Sequence, residues 1–316
     1  MKINELTYID LFAGIGGFRI ALDKHGAECV FTSEIDEHCI ATYKDNFGGT
    51  VHGDIRKINE KKIPEHDILC AGFPCQAFSI SGKQLGFDDS RGTLFFDIVR
   101  IVKERKPKIL FLENVANLAK HNDSETVNLM IKTLEFLGYD VNWKVISSHC
   151  FGVPQVRKRI YFVAFRKDLC VKEFKFPEKT HDDTVIEDIL EKNVDGKYVI
   201  TKKIKFIKDI SEKRTKEIVK IGIINKGGQG DRVYSSKGYG ITLSANGGGN
   251  AAKTGAYFVN GVVRKLTPRE CARMQGFPET FLINKSDNQA YKQFGNSVAI
   301  PVLDCIVEEI ANSIKE

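Results

Sequence analysis

The chain has 316 residues, of which 42% are hydrophobic and 28% charged, an ordinary globular composition whose length favours one large and one smaller domain. The net charge of +6 at pH 7 is compatible with a nucleic-acid partner without requiring one. Eight scattered cysteines form no CxxC pair and do not cluster with the seven histidines, which argues against a metal site. Neither a signal region nor a membrane-spanning run is evident, so we expect a cytoplasmic protein with reduced thiols and no membrane partner.

The N-terminal stretch predicts a strand, a glycine turn and a helix. Residues 7–11 form the strand, residues 12–17 (FAGIGG) the turn and residues 18–24 the helix. Glycines at such a place let a ligand approach the backbone near a helix N-terminus. Because Arg19 interrupts the dinucleotide spacing, a smaller adenosine ligand is favoured, and a tight turn without a ligand is the alternative.

Two carboxylates follow at the ends of predicted strands. Glu34 ends the strand 28–33, where a carboxylate can accept hydrogen bonds from both hydroxyls of a ribose. Asp54 follows a third short segment. It either bonds an adenine amino group or caps the next turn.

A cysteine stands just past a further apolar run. Residues 67–71 predict a strand, and Cys75 follows it directly after Pro74. Open α/β sheets place their chemistry at the carboxyl ends of strands, so we predict that Cys75 is a nucleophile. The alternative is a buried cysteine without chemistry, the role that we expect for Cys70 inside the run. The residues up to Thr93 are rich in Gly, Ser and Asp and predict a long loop of the lid type.

An acid follows the next strand in the same manner. Residues 94–103 have the periodicity of a helix, and residues 108–112 predict a buried strand. Glu113 comes directly after it and is expected at the same sheet edge as Cys75. A helix N-cap or first-turn acid is the alternative.

Two arginines precede the last strand of this half. A helix near 125–137 and a strand at 139–146 lead to Arg157 and Arg159, which share one face of an extended segment before the strand 160–165. They either hold a planar polar group or a phosphate, or form a solvated basic face. The repeated alternation of strands and helices predicts a doubly wound, mostly parallel sheet.

The character of the chain changes after about residue 180. Residues 181–220 are rich in Lys, Glu and Asp, and two polar glycine loops follow at 226–232 and 241–250. Such loops can follow a DNA groove and donate to phosphates and base edges, or they are flexible surface turns. Residues 264–278 then predict a helix begun by proline and ended by glycine. The residues after Val298 predict a terminal amphipathic helix.

Nine stretches combine into one resemblance. They are, in order, DLFAGIGGF, SEID, GDI, GFPCQAFSISGK, FDDSRGTLFFD, FLENV, QVRKRIYFV, RKLTPRECARMQGFP and YKQFGNSV. Together they resemble the cytosine-5 DNA methyltransferases over nearly the whole chain. The resemblance implies an α/β fold, a Rossmann-like doubly wound mixed and mostly parallel sheet with a smaller β-rich target-recognition domain. It implies a catalytic domain at 1–187 plus 290–316, target recognition at 188–270 and a hinge at 271–289.

The resemblance also implies the reaction, a DNA (cytosine-5-)-methyltransferase reaction on a cytosine flipped out of the duplex. Cys75 is then the nucleophile toward carbon 6, Glu113 contacts ring nitrogen 3, Arg159 contacts the carbonyl oxygen and Arg157 supports the pocket. The implied methyl donor is S-adenosyl-L-methionine, which leaves as S-adenosyl-L-homocysteine. Its expected contacts are Phe12, Ala13, Gly14, Gly16, Gly17, Glu34, Ile35, Asp54, Ile55, Pro74, Leu94 and Asn296.

The implied partner is double-stranded DNA, bound by a monomer. The expected DNA contacts are Ser79, Ser81, Lys83, Gln229, Arg232, Thr242, Asn246, Gly247 and Gly248. The glycine loops resemble those of a bacterial member of the family that modifies the inner cytosine of GCGC. This resemblance implies a bacterial, nucleoid-associated methylase that is either part of a restriction-modification system or an orphan enzyme. A restriction endonuclease that acts on the same site is a possible partner. Asn246 and Ile35 depart from that member, which has aromatic residues there.

Two other functions stay open from the sequence. One is a tRNA cytosine-5 methyltransferase, since the family's tRNA member shares much of the catalytic core, although the glycine loops here look like those of the DNA enzymes. The other is a catalytically silent DNA-binding protein, which the presence of Cys75, Glu113 and Arg159 disfavours. The glycine spacing disfavours a nicotinamide oxidoreductase.

Overall fold

A computed structural model of the chain describes residues 1–74, 94–169, 171–180, 183–211 and 213–314. Within these ranges a six-stranded sheet forms the centre of the larger part, with the strand order β2-β1-β3-β4-β6-β5. Its strands are β1 (Thr7–Leu11), β2 (Glu28–Ser33), β3 (Ile68–Gly72), β4 (Ile109–Val115), β5 (Tyr139–Ser147) and β6 (Lys158–Arg166).

The order and direction of these strands confirm the predicted doubly wound mixed sheet. β1 pairs in parallel with both β2 and β3, and β3 pairs in parallel with β4. β6 runs antiparallel between β4 and β5. The carboxyl ends of the four parallel strands therefore meet at one edge of the sheet, where such folds bind their ligands.

Helices cover both faces of this sheet. The helices of the described chain are α1 (Gly17–Lys24), α2 (Glu37–Phe47), α3 (Leu94–Arg105), α4 (Glu125–Phe136), α5 (Pro268–Met274), α6 (Asp287–Asn296) and α7 (Ile300–Ser313). The apolar side chains of α1 and α7 pack on one face, and those of α3 and α4 pack on the other. Ile68 and Cys70 of β3 point to the first face and Leu69 to the second, so both faces are apolar core. Cys70 is fully buried, as expected for a core cysteine.

The structure extends two predicted strands, β4 and β6, of which β6 begins at Lys158 and not at residue 160. β4 continues past Leu112 through Glu113 and Asn114, which pair with Tyr161 and Ile160 of β6. The apolar run alone did not reveal this continuation, because the antiparallel partner strand extends the ladder into polar residues. Glu113 is thus held inside a strand and does not cap a helix.

A second sheet of five short strands has the order β11-β10-β9-β8-β7. They are β7 (Ile204–Phe206), β8 (Lys220–Ile224), β9 (Arg232–Ser235), β10 (Ala256–Val259) and β11 (Val262–Lys265). A small apolar core around Ile221, Ile224 and Val233 supports them. All five strands lie within the range predicted for target recognition, whose boundaries stay a prediction.

Helices α5 and α6 follow the second sheet in the chain and pack together. The Thr267 hydroxyl accepts from the Glu270 backbone N–H, and the Glu270 carboxylate accepts from the Thr267 N–H, so a capping box begins α5. Helix α6 was not predicted, because its sequence is largely polar and the face that it buries packs against α5. Over the residues described, no helix has the length and apolar character needed to cross a bilayer.

Candidate active site

A cavity of about 570 Å³ opens at the carboxyl ends of the parallel strands. It brings together residues from the N-terminal turn, the ends of β2, β3 and β4, the start of β6 and the end of α6. Fourteen of the residues singled out from the sequence line it: Phe12, Ala13, Gly14, Gly17, Glu34, Ile35, Asp54, Ile55, Pro74, Leu94, Glu113, Arg157, Arg159 and Asn296. The fold thus places these fourteen residues around one cavity at the edge of the sheet that the sequence predicted for the site.

The N-terminal glycine turn forms one wall of the cavity. Phe12, Gly14 and Gly16 all have positive φ angles, and the Gly14 N–H donates to the Glu34 carboxylate across 2.8 Å. Gly16, also predicted to contact the cofactor, does not line the cavity. A side chain on Gly16 would collide with the ring of Phe47, so packing and backbone conformation account for this glycine.

The Glu34 carboxylate is fixed by the backbone around it. One of its oxygens accepts from the Gly14 N–H, and the other accepts from the N–H groups of Ile35 and Asp36 at 2.7 and 2.8 Å. These bonds lock the carboxylate at the end of β2, facing the cavity. Each oxygen keeps acceptor capacity, which suits a diol.

Asp54 has one of the two roles that the sequence left open, the cap of the next turn, while the adenine contact stays a prediction. Its carboxylate caps the turn that follows by accepting from the Arg56 N–H, and it also lines the cavity. The Arg56 guanidinium binds it through Nε and Nη2 at 2.9 and 2.7 Å. The hydrogen bonds from Arg56 lower the pKa of Asp54, so this carboxylate is charged at neutral pH.

Glu113 and Arg159 form an ion pair inside the cavity. Arg159 Nε lies 3.0 Å from Glu113 Oε1, and the Glu113 residue is only 7% exposed. Burial raises the pKa of Glu113, and the charges of Arg159 and Arg157 partly oppose that rise. The carboxyl is therefore easier to protonate than an ordinary glutamic acid.

Arg157 binds three backbone carbonyls in two separate segments. Its guanidinium donates to the carbonyl oxygens of Leu243 (3.2 Å), Gly295 (3.1 Å) and Ser297 (2.5 Å). Burial is the main cause that lowers its pKa to about 9, so it stays protonated at neutral pH. Arg157 thus joins the rim of the large sheet to a glycine loop and to the end of α6.

Two buried amides in this region escaped the sequence-based prediction. Asn114 Nδ2 donates to the Phe73 carbonyl oxygen across 2.9 Å and so fixes the chain two residues before Cys75. Gln155 accepts from the Leu243 N–H and donates to the Met274 carbonyl oxygen. The motifs FLENV and QVRKRIYFV contain or adjoin these residues, but nothing in their spacing revealed what they bond.

The two glycine loops after β8 and before β10 pack directly on each other. The Ala251 N–H donates to the Gly230 carbonyl oxygen at 2.9 Å, and a side chain on Gly230 would collide with the Gly248 carbonyl. Asp231 Oδ1 accepts from both the backbone N–H and the side-chain amide of Asn250, at 3.1 and 2.6 Å. We call this Asp231–Asn250 contact the loop clasp.

Six of the predicted DNA contacts lie exposed on these loops or beside them, namely Gln229, Arg232, Thr242, Asn246, Gly247 and Gly248. Thr242 Oγ1 donates to the Val156 carbonyl oxygen at 2.6 Å, which ties its loop to the start of β6. Cys75, Ser79, Ser81 and Lys83 lie outside the described residues.

Comparisons with known proteins agree with this geometry. A family model described as C-5 cytosine-specific DNA methylase matches residues 6–312. The chain is 51% identical to the Type II methyltransferase M.HhaI of Haemophilus parahaemolyticus over 315 residues, which cover 99% of this chain and 96% of the relative. It is 47% identical to the Type II methyltransferase M1.ScrFI of Lactococcus lactis subsp. cremoris, covering 100% of this chain and 80% of the relative.

Solved structures share the fold. The Dnmt2 methyltransferase of S. pombe superposes with a TM-score of 0.73 at 20% identity, covering 97% of this chain and 98% of that one. The family match spans both sheets, and the resemblance that the motifs indicated is confirmed. The chain belongs to the C-5 cytosine-specific DNA methylase family, a family of DNA methyltransferases.

Proposed function

We propose that this protein transfers a methyl group from S-adenosyl-L-methionine to carbon 5 of a cytosine that is flipped out of duplex DNA. One observation carries the proposal: the buried Glu113–Arg159 pair lies in the same cavity as Glu34, Asp54 and Pro74, the last of which directly precedes Cys75 in the sequence. A carboxyl and a guanidinium in one buried place suit the polar edge of a pyrimidine base. Base flipping is required because carbons 5 and 6 cannot be attacked inside a stacked duplex.

The cavity residues predicted to bind the methyl donor fit this cofactor. The Glu34 carboxylate suits the ribose hydroxyls, Asp54 suits the adenine amino group, and the exposed Ile35 side chain offers an apolar surface for the ring. All the remaining predicted contacts except Gly16 line the same space, among them Pro74, Leu94 and Asn296. When bound, the cofactor supplies an electrophilic methyl group on a sulfonium. Its product is S-adenosyl-L-homocysteine.

The proposed nucleophile is Cys75. Its thiolate forms a bond to carbon 6 of the cytosine, and the electron pair of the 5,6 double bond then makes carbon 5 nucleophilic toward the methyl group. Loss of the proton from carbon 5 to a base, for which bound water is a candidate, restores the double bond and expels the thiolate. A cationic setting favours the thiolate, and Arg157 and Arg159 supply positive charge at the cavity.

Glu113 holds or donates the proton at ring nitrogen 3 in this proposal. Its raised pKa supports the role, since a neutral carboxyl can donate a hydrogen bond to that nitrogen while carbon 6 is under attack. Arg159 binds the cytosine carbonyl oxygen and keeps Glu113 oriented. Arg157, whose guanidinium is bound to three backbone carbonyls, is a positioning residue for the same pocket.

The DNA is bound between the cavity and the exposed glycine loops, by a monomer. Gln229, Arg232 and Thr242 read the site, and the similarity to M.HhaI supports the inner cytosine of GCGC as the target. The catalytic domain comprises residues 1–187 and 290–316, with 188–270 as the recognition domain. The proposed setting is the bacterial cytoplasm, as a restriction-modification or orphan methylase.

The test is methylation of random-sequence duplex DNA, followed by bisulfite sequencing, with tRNA as a parallel substrate. The proposal expects cytosine-5 methylation of DNA at one short sequence, GCGC, and none of tRNA. Modification of another sequence would refute the specificity and leave the chemistry intact. Methylation of tRNA alone would establish the tRNA enzyme, and binding of DNA without methyl transfer would establish a silent DNA-binding protein.

A further inference from the structure

The basic charge of this chain is concentrated in one segment. Residues 201–220 contain eight Lys or Arg and three Asp or Glu, a net charge of +5 in a chain whose total is +6. Lys202 and Lys203 are exposed, and neither forms an ion pair with any residue that the structure describes. By contrast, Lys216 and Arg214 of the same segment pair with acidic side chains.

Strand direction places Lys202 and Lys203 at the same end of the second sheet as the glycine loops. β7 runs antiparallel to β8, with Ile204 opposite Ile224. The residues just before Ile204 therefore lie beside the loop that follows Ile224. β10 is parallel to β9, so the loop at 241–255 that enters β10 reaches the same end.

A series of contacts connects the cavity to the two glycine loops and then to Lys202. Arg157 of the cavity donates to Leu243, which begins the loop 241–250. That loop is joined to the loop 225–231 through the Asp231–Asn250 clasp. Hydrogen bonding by Asn250 is the largest cause that lowers the pKa of Asp231, and the nearby charge of Lys202 also lowers it. Lys202 thus lies close to Asp231 of the loop clasp, and β7, which it precedes, is an edge strand of the second sheet.

We infer that Lys202 and Lys203 bind backbone phosphates of duplex DNA outside the sequence that is modified. This inference rests on the proposed function, because it takes the glycine loops as the DNA-binding face. Two exposed ammonium groups that pair with no described acidic residue, at the same end of the sheet as that face, suit the phosphates of a duplex that continues past the loops. Phosphates carry no sequence information, so these contacts add affinity and leave the choice of site unchanged.

The same segment supplies a matched control. Lys208 and Lys213 follow β7, so they lie at the opposite end of the β7–β8 pair, and Lys208 is about 16 Å of extended chain from Lys203 at 3.3 Å per residue. Both are exposed, and neither pairs with an acidic residue in the described ranges. The variants K202Q/K203Q and K208Q/K213Q therefore remove equal charge from opposite ends of one short sheet.

The experiment measures DNA affinity against salt concentration for the full chain and both variants. Two duplexes are used: a short one that ends about two base pairs beyond the modified sequence, and a long one with about ten more base pairs, one helical turn, on each side. Each phosphate contact contributes about 0.9 to the slope of log K against log salt. On the long duplex we expect K202Q/K203Q to lose about 1.8 of slope and roughly ten- to sixty-fold of affinity at 0.1 M salt.

We expect K208Q/K213Q to retain the slope of the unmodified chain, and all three proteins to share one slope on the short duplex. A long-duplex slope for K202Q/K203Q equal to that of the unmodified chain or of K208Q/K213Q would overturn the inference. Methylation of the short duplex is measured in parallel. If the unmodified chain transfers no methyl group, the proposed function fails, whereas normal methylation with an unchanged slope refutes the lysine contacts alone. Equal thermal unfolding of the three proteins excludes a folding defect.

Discussion

Glu113 shows how one residue's surroundings set its chemistry. It lies in a strand, 7% exposed, with the Arg159 guanidinium 3.0 Å from its carboxylate. Burial favours the neutral form and the arginine favours the charged form, and the net effect is a raised pKa. A carboxyl in that balance can hold a proton for nitrogen 3 of a base and still be oriented by an ionic partner.

We expect Glu113→Gln to lower the single-turnover rate of methyl transfer by roughly 10²- to 10⁴-fold, the usual worth of a general acid. The neutral form of Glu113 is lost as pH rises through its raised pKa, so the normal rate should fall along that limb and the variant's rate should lack it. Rates measured from about pH 5 to about pH 9 test this. Glu135→Gln, on the exposed side of α4, is the control. An undiminished rate in Glu113→Gln would remove the residue from the mechanism.

Asp10 is a second buried acid, in the middle of β1. It is fully buried between β2 and β3, and neither carboxylate oxygen has a hydrogen-bond partner within the described chain. Burial is the main cause that raises the pKa of Asp10 to about 8, with the charge of Arg19 opposing it. Since the unfolded chain has the ordinary lower value, the folded state binds more protons between these pKa values. Stability is therefore lost as pH rises toward 8.

Asp10→Asn removes this titration and should be increasingly favourable at higher pH. At about 1.4 kcal/mol per pH unit, the advantage of the variant should grow by roughly 3 to 4 kcal/mol between about pH 5 and about pH 8. Denaturant unfolding of both proteins at several pH values measures the difference, in which the other titrating groups cancel. A difference that stays constant with pH would show that Asp10 titrates alike in the folded and unfolded chains.

At the scale of elements, the loop clasp makes the two glycine loops a single unit. The Asp231 carboxylate accepts two hydrogen bonds from Asn250, and Gly230 lies against Gly248 without room for a side chain. Hydrogen bonds to a charged acceptor are among the stronger ones, at about 1.5 to 3 kcal/mol. The clasp therefore fixes the spacing of the side chains that we propose to contact DNA.

We expect Asp231→Ala to reduce discrimination between the modified sequence and its single-base variants by roughly tenfold, equivalent to about 1.4 kcal/mol. The ratio of kcat/KM for the two substrates is the measurement, because a general loss of folded protein lowers both values and leaves the ratio unchanged. Asp209→Ala, an exposed acid on the connection beyond β7, should keep the normal ratio. Unaltered discrimination in Asp231→Ala would mean that the loops read DNA independently.

Element boundaries show what the sequence alone could predict. The strands β1 and β2 and the helix α1 lie at or within one residue of their predicted ranges, because apolar runs bounded by glycines mark them. β4 and β6 extend further than predicted, since their polar ends are held by pairing with each other. Helix α6 was missed because its buried face depends on α5, which a local pattern does not contain.

Site residues divide in the same way. Glu113 and the cavity-lining residues of the glycine turn follow predicted strands directly, so strand direction alone predicts their common edge. Arg159 instead precedes its predicted strand and reaches the same edge because β6 is antiparallel to β4. The bonds of Asn114, Gln155 and Arg157 join segments that are far apart in the chain, and no motif indicates their partners. The sequence thus predicted which residues lie at the edge of the sheet, but not the hydrogen bonds that hold them in position.

At the scale of the whole molecule, ligand binding should stabilise the fold. A ligand that binds only the folded chain at about 100 times its Kd adds about 2.7 kcal/mol, or a Tm rise of roughly 5 °C. We expect S-adenosyl-L-homocysteine to give such a rise, and Glu34→Gln to reduce it, since this carboxylate faces the proposed ribose site. The Tm of each protein with and without ligand separates binding from intrinsic stability. Equal rises in both proteins would exclude Glu34 from the cofactor site.

The two sheets act as one molecule through buried polar contacts. Gln155 and Arg157, at the rim of the large sheet, bond to the loop that carries Thr242, and the Gly295 carbonyl beside Asn296 accepts from Arg157. The cavity and the recognition loops therefore share their supports. This arrangement is what the proposed reaction needs, because the flipped base and the surrounding duplex must be held together.

The most direct test of the central claim is covalent trapping. Duplex DNA with 5-fluorocytosine at the target position blocks loss of the carbon 5 substituent, so the proposed thioether between Cys75 and carbon 6 should persist. With S-adenosyl-L-methionine, the unmodified chain should give a complex that survives denaturing electrophoresis, and Cys75→Ala should give none and should not methylate normal DNA. Full methylation by Cys75→Ala, or no trapped complex from an unmodified chain that methylates DNA, would contradict the account.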